Sequence, residues 1–229
     1  MDLEVDSNCT SNCNPIPGTT TNQYLANGQP SGAAEWNIAV TDNTFANGGG
    51  GNWVETQGPD ACIPQKNWTF SGNTLDANTG WQVDISGSLA DPTCASDSQG
   101  LVVSNNVAQS FGGSLCSASI GQPGQGCPSL SVGAWSDVSI SGNSMNEPAG
   151  LPTYYPNTPW VNAIGLCGVA GATVTNNTFN NAYAAVVTYN CFQAPAGATS
   201  GLTACNNTYW LTQPILGVPA DPKVDATCS

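Results

Sequence analysis

Two carboxylates stand in closely matched surroundings: Glu55 in "NWVETQ", which begins at Asn52, and Asp84 in "GWQVDIS", which begins at Gly80. Each directly follows a valine, and Trp53 and Trp81 lie close before them. Alternate side chains of an extended strand face opposite ways, so with Val54 and Val83 turned inward, Glu55 and Asp84 turn outward. On neighbouring strands they would be ~5 Å apart. That is close to the ~5–5.5 Å of the acid and nucleophile in a retaining glycoside hydrolase. The same pair fits two quieter roles, a solvated carboxylate pair or a calcium site completed by carbonyl oxygens.

Other chemistries lack their parts. The chain has no His, so neither a Ser–His nor a Cys–His nucleophile can be assembled. Ten cysteines without His offer no mixed zinc site, and no metal is assigned. The Gly-rich "ANGGGGNW" from Ala46 has neither a following helical pattern nor a lysine, and is not a phosphate loop. Asp91 and Asp97, which flank Cys94, sit in turn-like sequence and are read as surface. No cofactor is expected, with calcium the one candidate ion.

The 229 residues carry two basic side chains, Lys66 and Lys223, against fifteen carboxylates, for a net charge of -13. Nucleic acids and anionic membranes need clustered Lys or Arg, and both are excluded as partners. No run approaches the ~20 apolar residues of a membrane span. Ten cysteines in so acidic a chain favour disulfides and an oxidising, extracellular compartment. "MDLEVDSNCT" has no basic and apolar leader pattern, so a secretory signal would already be gone. Acceptor tripeptides for N-linked sugar begin at Asn8, Asn67, Asn176 and Asn206.

What would hold Glu55 and Asp84 side by side is a repeat. "AVTDNTFAN", "TFSGNTLDA", "VVSNNVAQS", "SISGNSMNE", "TVTNNTFNN" and "TACNNTYWL" align on Asn43, Asn73, Asn106, Asn143, Asn177 and Asn207, in steps of 30, 33, 37, 34 and 30 residues. Five and three residues before each anchor stand Ile38 and Val40, Trp68 and Phe70, Leu101 and Val103, Val138 and Ile140, Ala172 and Val174, Leu202 and Ala204. Two before it stand Thr41, Ser71, Ser104, Ser141, Thr175 and Cys205. One face apolar and one hydroxylic is a half-buried strand. The asparagine is read as a corner, since Asn tolerates left-handed backbone, and Phe45, Leu75, Ala108, Met145, Phe179 and Tyr209 re-enter the core. Stacked corners would let the amides bond to one another as a ladder. Second strands are expected at "NWVETQ", "GWQVDIS", "SLCSAS" from Ser114 and "AAVVTYN" from Ala184, with "EPAGLPTYYPNTPW" as an inserted surface loop.

Corner asparagines behind a V-x-[VI]-[ST]-x-N-[TS]-[FLM] strand, repeated about every thirty residues, resemble the pectate-lyase-like right-handed parallel β-helix superfamily. The resemblance covers about Trp36 to Gln213. It implies an all-β fold, a right-handed parallel β-helix of about six to seven rungs with an Asn corner ladder. The domain reading is 1–35 as an N-terminal cap segment, 36–213 as the β-helix and 214–229 as a C-terminal cap. The lyases of that superfamily use an Arg or Lys base on acidic polysaccharides, which a chain with no Arg and a net charge of -13 does not suit. The expected function is therefore non-catalytic: an extracellular structural or adhesive module that self-associates, contacts polysaccharide, or both. Trp53, Tyr154, Tyr155 and Trp160 are the expected sugar-contacting rings, with Trp135 and Trp210 also placed at edges. The alternative is a carboxylate-only glycoside hydrolase of neutral polysaccharide using Glu55 and Asp84.

With almost no cations, the carboxylates repel one another more in the compact state than in the unfolded one. Protonation near the sequence pI of about 4.1 removes most of that repulsion. The melting temperature at about pH 4 is expected to equal or exceed that at pH 7 in thermal scans followed by circular dichroism. A clearly lower value at the acidic pH contradicts this reading.

Overall fold

The computed structural model describes residues 3–6, 35–46, 52–57, 65–76, 82–86, 98–108, 128–146, 162–180, 182, 184–189, 199–210, 213–216 and 223–224. All regular structure among them is β-strand, and every strand pairing is parallel. A first sheet of seven strands contains β1 (Leu3–Asp6), β5 (Asn52–Gln57), β8 (Gln82–Ser86), β11 (Pro128–Gly133), β14 (Asn162–Cys167), β17 (Ala184–Tyr189) and β20 (Gln213–Leu216), in that order. A second sheet runs β2 (Glu35–Trp36), β6 (Gln65–Ser71), β9 (Ser98–Ser104), β12 (Trp135–Ser141), β15 (Ala170–Thr175), β18 (Thr203–Cys205) and β21 (Lys223–Val224), with β3 (Ala39–Thr41) also pairing β6. A third contains β4 (Thr44–Ala46), β7 (Thr74–Asp76), β10 (Val107–Ala108), β13 (Ser144–Asn146), β16 (Thr178–Asn180) and β19 (Thr208–Trp210). From β4 onward each strand pairs with the third strand after it, so a three-strand unit repeats. Strand residues also occur outside 36–213, in β1 and at Glu35 on one side and in β20 and β21 on the other.

The apolar columns become the core. Trp68, Phe70, Leu101, Val103, Val138, Ile140, Ala172, Val174, Leu202 and Ala204 are buried, and Ile38 and Val40 pack against them from the first rung. Phe45, Leu75, Ala108, Met145 and Phe179 are buried from the third sheet, with Tyr209 stacked on Phe179 at 5.8 Å. Ala108 is too short for its column, and a small apolar gap opens there between Leu75, Val103 and Met145. In the hydroxyl column Ser104 donates to the Ser71 Oγ at 3.0 Å, and Cys205 at its end is buried.

One expectation is corrected here. The anchor asparagines are not the left-handed residues. Positive φ falls one residue earlier, at Asp42, Gly72, Asn105, Gly142, Asn176 and Asn206. Those residues turn the chain, which frees each anchor amide for bonding. In the first sheet β11 stands between β8 and β14, with Leu130 and Val132 buried and in register with Val83 and Ile85; the strand expected at "SLCSAS" lies outside the described residues.

The anchors form the expected ladder. Asn43 donates from its backbone N at 3.0 Å and from Nδ2 at 3.1 Å to Asn73 Oδ1. Asn73 does the same to Asn106, Asn106 to Asn143, Asn143 to Asn177 and Asn177 to Asn207. The other Nδ2 hydrogen reaches the preceding rung, as from Asn106 to the Phe70 carbonyl at 3.0 Å. Asn106→Ala removes a twice-used acceptor and two donors from a buried site, and is expected to cost at least about 2 kcal/mol. Asn43→Ala, at the exposed end, should cost under about 1 kcal/mol. Urea unfolding of the two variants checks this, and equal losses would contradict it.

Candidate functional site

The first sheet sets the backbone register of Glu55 and Asp84, whose side chains, like that of Glu4, lie outside the described residues. β5 and β8 pair in parallel with Glu55 opposite Asp84, and β1 pairs with β5 to set Glu4 opposite Glu55. Neighbouring strands lie ~4.8 Å apart, so Glu4, Glu55 and Asp84 occupy one register column on three successive strands. Ser131 continues it. Leu130 and Val132 on either side of Ser131 are in the core, so the Ser131 position belongs to the opposite face. Further along, the column passes through Gly165 and Val187. All of β14 and the run Ala184 to Val187 are buried, so this part of the sheet is covered on both faces. Two acidic residues opposite one another on neighbouring strands are the backbone register from which two-carboxylate chemistry can be built. Among the described residues no group of three or more Cys, Asp or Glu is placed to hold a metal ion.

The aromatic expectations divide. Tyr154, Tyr155 and Trp160 lie outside the described residues, as does the side chain of Trp53. Trp135 is corrected: it is fully buried and meets Trp68 edge to face, with ring centroids 6.1 Å apart. The register explains why, since Trp135 stands on Ser98 in the same inward position that Gln65 and Ser98 hold on earlier rungs. Trp210, on the last strand of the third sheet, is 66% exposed. The tripeptide residues Asn67, Asn176 and Asn206 are exposed, and Asn8 lies outside the described residues.

Two ridges of left-handed residues escaped the sequence reading. One precedes the ladder by a single residue. The other comprises Asn37, Asn67, Gly100, Asp137, Gly171 and Gly201, each six residues before its anchor. The second ridge bends each second-sheet strand and resets its alternation, so that Gln65, Trp68 and Phe70 all point inward. The signal was present, because both columns contain only Asn, Asp and Gly, the residues that accept positive φ most readily. On these ridges side chains reach across rungs: Gln99 Nε2 donates to Asp137 Oδ2, and Asn67 Nδ2 donates to Asn37 Oδ1 at 3.2 Å.

Among the described residues no helix is long and apolar enough to cross a membrane. Neither described cysteine, Cys167 or Cys205, is free. No protein-family model, curated protein or solved structure matches the chain.

From Asp42 to Asn176 glycine alternates with side-chain residues on the ladder-side ridge, for a steric reason. A Cβ on Gly142 would lie 2.5 Å from Asn105 Oδ1, at a φ of +67°. Gly142→Ala is expected to destabilise by about 1 to 3 kcal/mol, from strain plus the clash. Adding Asn105→Gly should recover part of that loss. Denaturant titration of both single variants and the double variant measures the coupling; strict additivity would show that the contact is not the cause.

Proposed function

We propose that the repeating three-strand unit winds as a right-handed parallel β-helix of about six to seven rungs, similar to the pectate-lyase-like group. In this reading the chain serves without catalysis as an extracellular structural or adhesive module that self-associates, contacts glycans, or both. The observation that carries it is the open ladder. Asn43 is exposed, and no donor among the described residues reaches its Oδ1; at the other end Asn207 is half-buried, and no acceptor among the described residues meets its backbone N–H. The strands beside them, β4 and β19, are edges of the third sheet among the described residues. Parallel edges that no described residue covers, with polar groups unmet there, favour pairing with another chain. An acidic, cysteine-rich composition supports the extracellular setting.

The register of Glu55 with Asp84 favours one alternative, a glycoside hydrolase acting on neutral polysaccharide. Sedimentation velocity over a wide concentration range tests the first reading: growth of larger species with concentration is expected, and a single monomer throughout removes self-association. Separate Glu55→Gln and Asp84→Asn variants test the second on a panel of neutral polysaccharides. Reducing-sugar release by the wild type that either change abolishes would establish the hydrolase, and release that neither change alters would acquit the pair.

A further inference from the structure

The ridge beside the ladder treats its side chains unequally. Where the next rung offers glycine, the side chain leans over it: Asp42 Oδ1 occupies the space a Cβ on Gly72 would need, and Asn105 Oδ1 lies 2.5 Å from the Cβ position of Gly142. Asn176 has no such seat, because the next rung brings Asn206, whose own Cβ fills the place. Asn176 and Asn206 are both exposed, at φ of 57° and 56°, and no hydrogen bond among the described residues holds either side-chain amide. Asn67 differs. Its Nδ2 donates to Asn37, and its Oδ1 lies 3.1 Å from the Cβ position of Gly100, so its carboxamide is laid along the stack.

All three begin an Asn-x-Thr tripeptide: Asn67-Trp68-Thr69, Asn176-Asn177-Thr178 and Asn206-Asn207-Thr208. We infer that Asn176 and Asn206 form a single N-glycan attachment locus, which carries one sugar chain per molecule on one residue or the other, and that Asn67 carries none. The donor class is an oligosaccharide linked through diphosphate. The amide Nδ2 bonds to the anomeric carbon as that carbon's bond to the diphosphate oxygen breaks, and one amide proton passes to a base. No oxidant or reductant is needed. Transfer to a chain not yet folded reaches any acceptor tripeptide, so the selection falls on the folded, exported product.

Two distances make that selection. Adjacent rungs stand ~4.8 Å apart, and the Asn176 N–H bonds the Cys205 carbonyl at 3.4 Å, which fixes Asn206 directly over Asn176. Two hydrated sugars rooted that closely press on one another. A sugar on Asn67 Nδ2 would have to enter between the Asn37 and Gly100 rungs. The ladder residues are excluded outright: Asn177 Nδ2 is buried and committed to the Ile140 carbonyl and Asn207 Oδ1, both at 3.0 Å. The inference rests on the extracellular setting of the proposed function, and stands whether or not the molecule self-associates.

The test is secretion of the full chain carrying Asn8→Gln from a eukaryotic host, followed by an amidase that releases N-linked sugar and converts its asparagine to aspartate. Intact mass should fall by one glycan, with aspartate at 176 or 206 on separate molecules and none at 67. Asn206→Gln should move all of the sugar to Asn176, and Asn176→Gln should move it to Asn206. Aspartate at 67, two glycans on one molecule, or an unmodified secreted chain would each overturn the inference. Peptide mapping of the wild-type chain gives the same readout if a variant is not exported.

Discussion

A buried carboxamide that donates twice and accepts twice is the constraint on which the rest of this molecule depends. Asn106 shows it fully: its Oδ1 accepts from the backbone N and Nδ2 of Asn73, and its own Nδ2 donates to Asn143 and to the Phe70 carbonyl. An amide left unsatisfied in an apolar interior costs several kcal/mol. Four anchors are buried nonetheless, because each rung supplies what its neighbour lacks. Strands then follow the ladder, since Thr74, Val107, Ser144, Thr178 and Thr208 each donate a backbone N–H to the carbonyl of the preceding rung's anchor at 2.8 Å. The same logic makes the two ends unlike the middle.

That frame fixes where chemistry can stand. The first sheet carries Glu4, Asp6, Glu55 and Asp84 within its first three strands and no charged residue in its last four. The acidic strands precede those buried on both faces. A parallel register places Glu55 opposite Asp84 without any loop to adjust them. The absence of Arg and the presence of only two lysines leave little to neutralise an anionic polymer. These facts bear on both functional readings and keep the lyase chemistry of the resembling superfamily at a distance.

Much of this was legible in the residues because it is periodic. Six agreeing copies located the inward pairs, the hydroxyl column and the ladder, and the matched spacing of Glu55 and Asp84 anticipated their register. What failed were features that the apolar pattern does not carry. The left-handed position was given to Asn43 and its equivalents, although Asp42, Gly72 and Asn105 show that the turn is made one residue earlier. The bend at Asn67 and Asp137 was missed because a strand was assumed to keep one phase, and that error misplaced Trp135 at an edge. The longest repeat step, 37 residues between Asn106 and Asn143, hid β11, since its apolar pair does not stand at the offset seen in shorter repeats.

Hydrogen exchange of the anchor amides by nuclear magnetic resonance most directly tests whether the ladder holds the rungs together. The backbone N–H and side-chain Nδ2 protons of Asn106 and Asn143 should be among the slowest to exchange, released only with global unfolding, while those of Asn207 exchange far faster. Comparable rates at the buried and end positions would show that the ladder does not govern the fold.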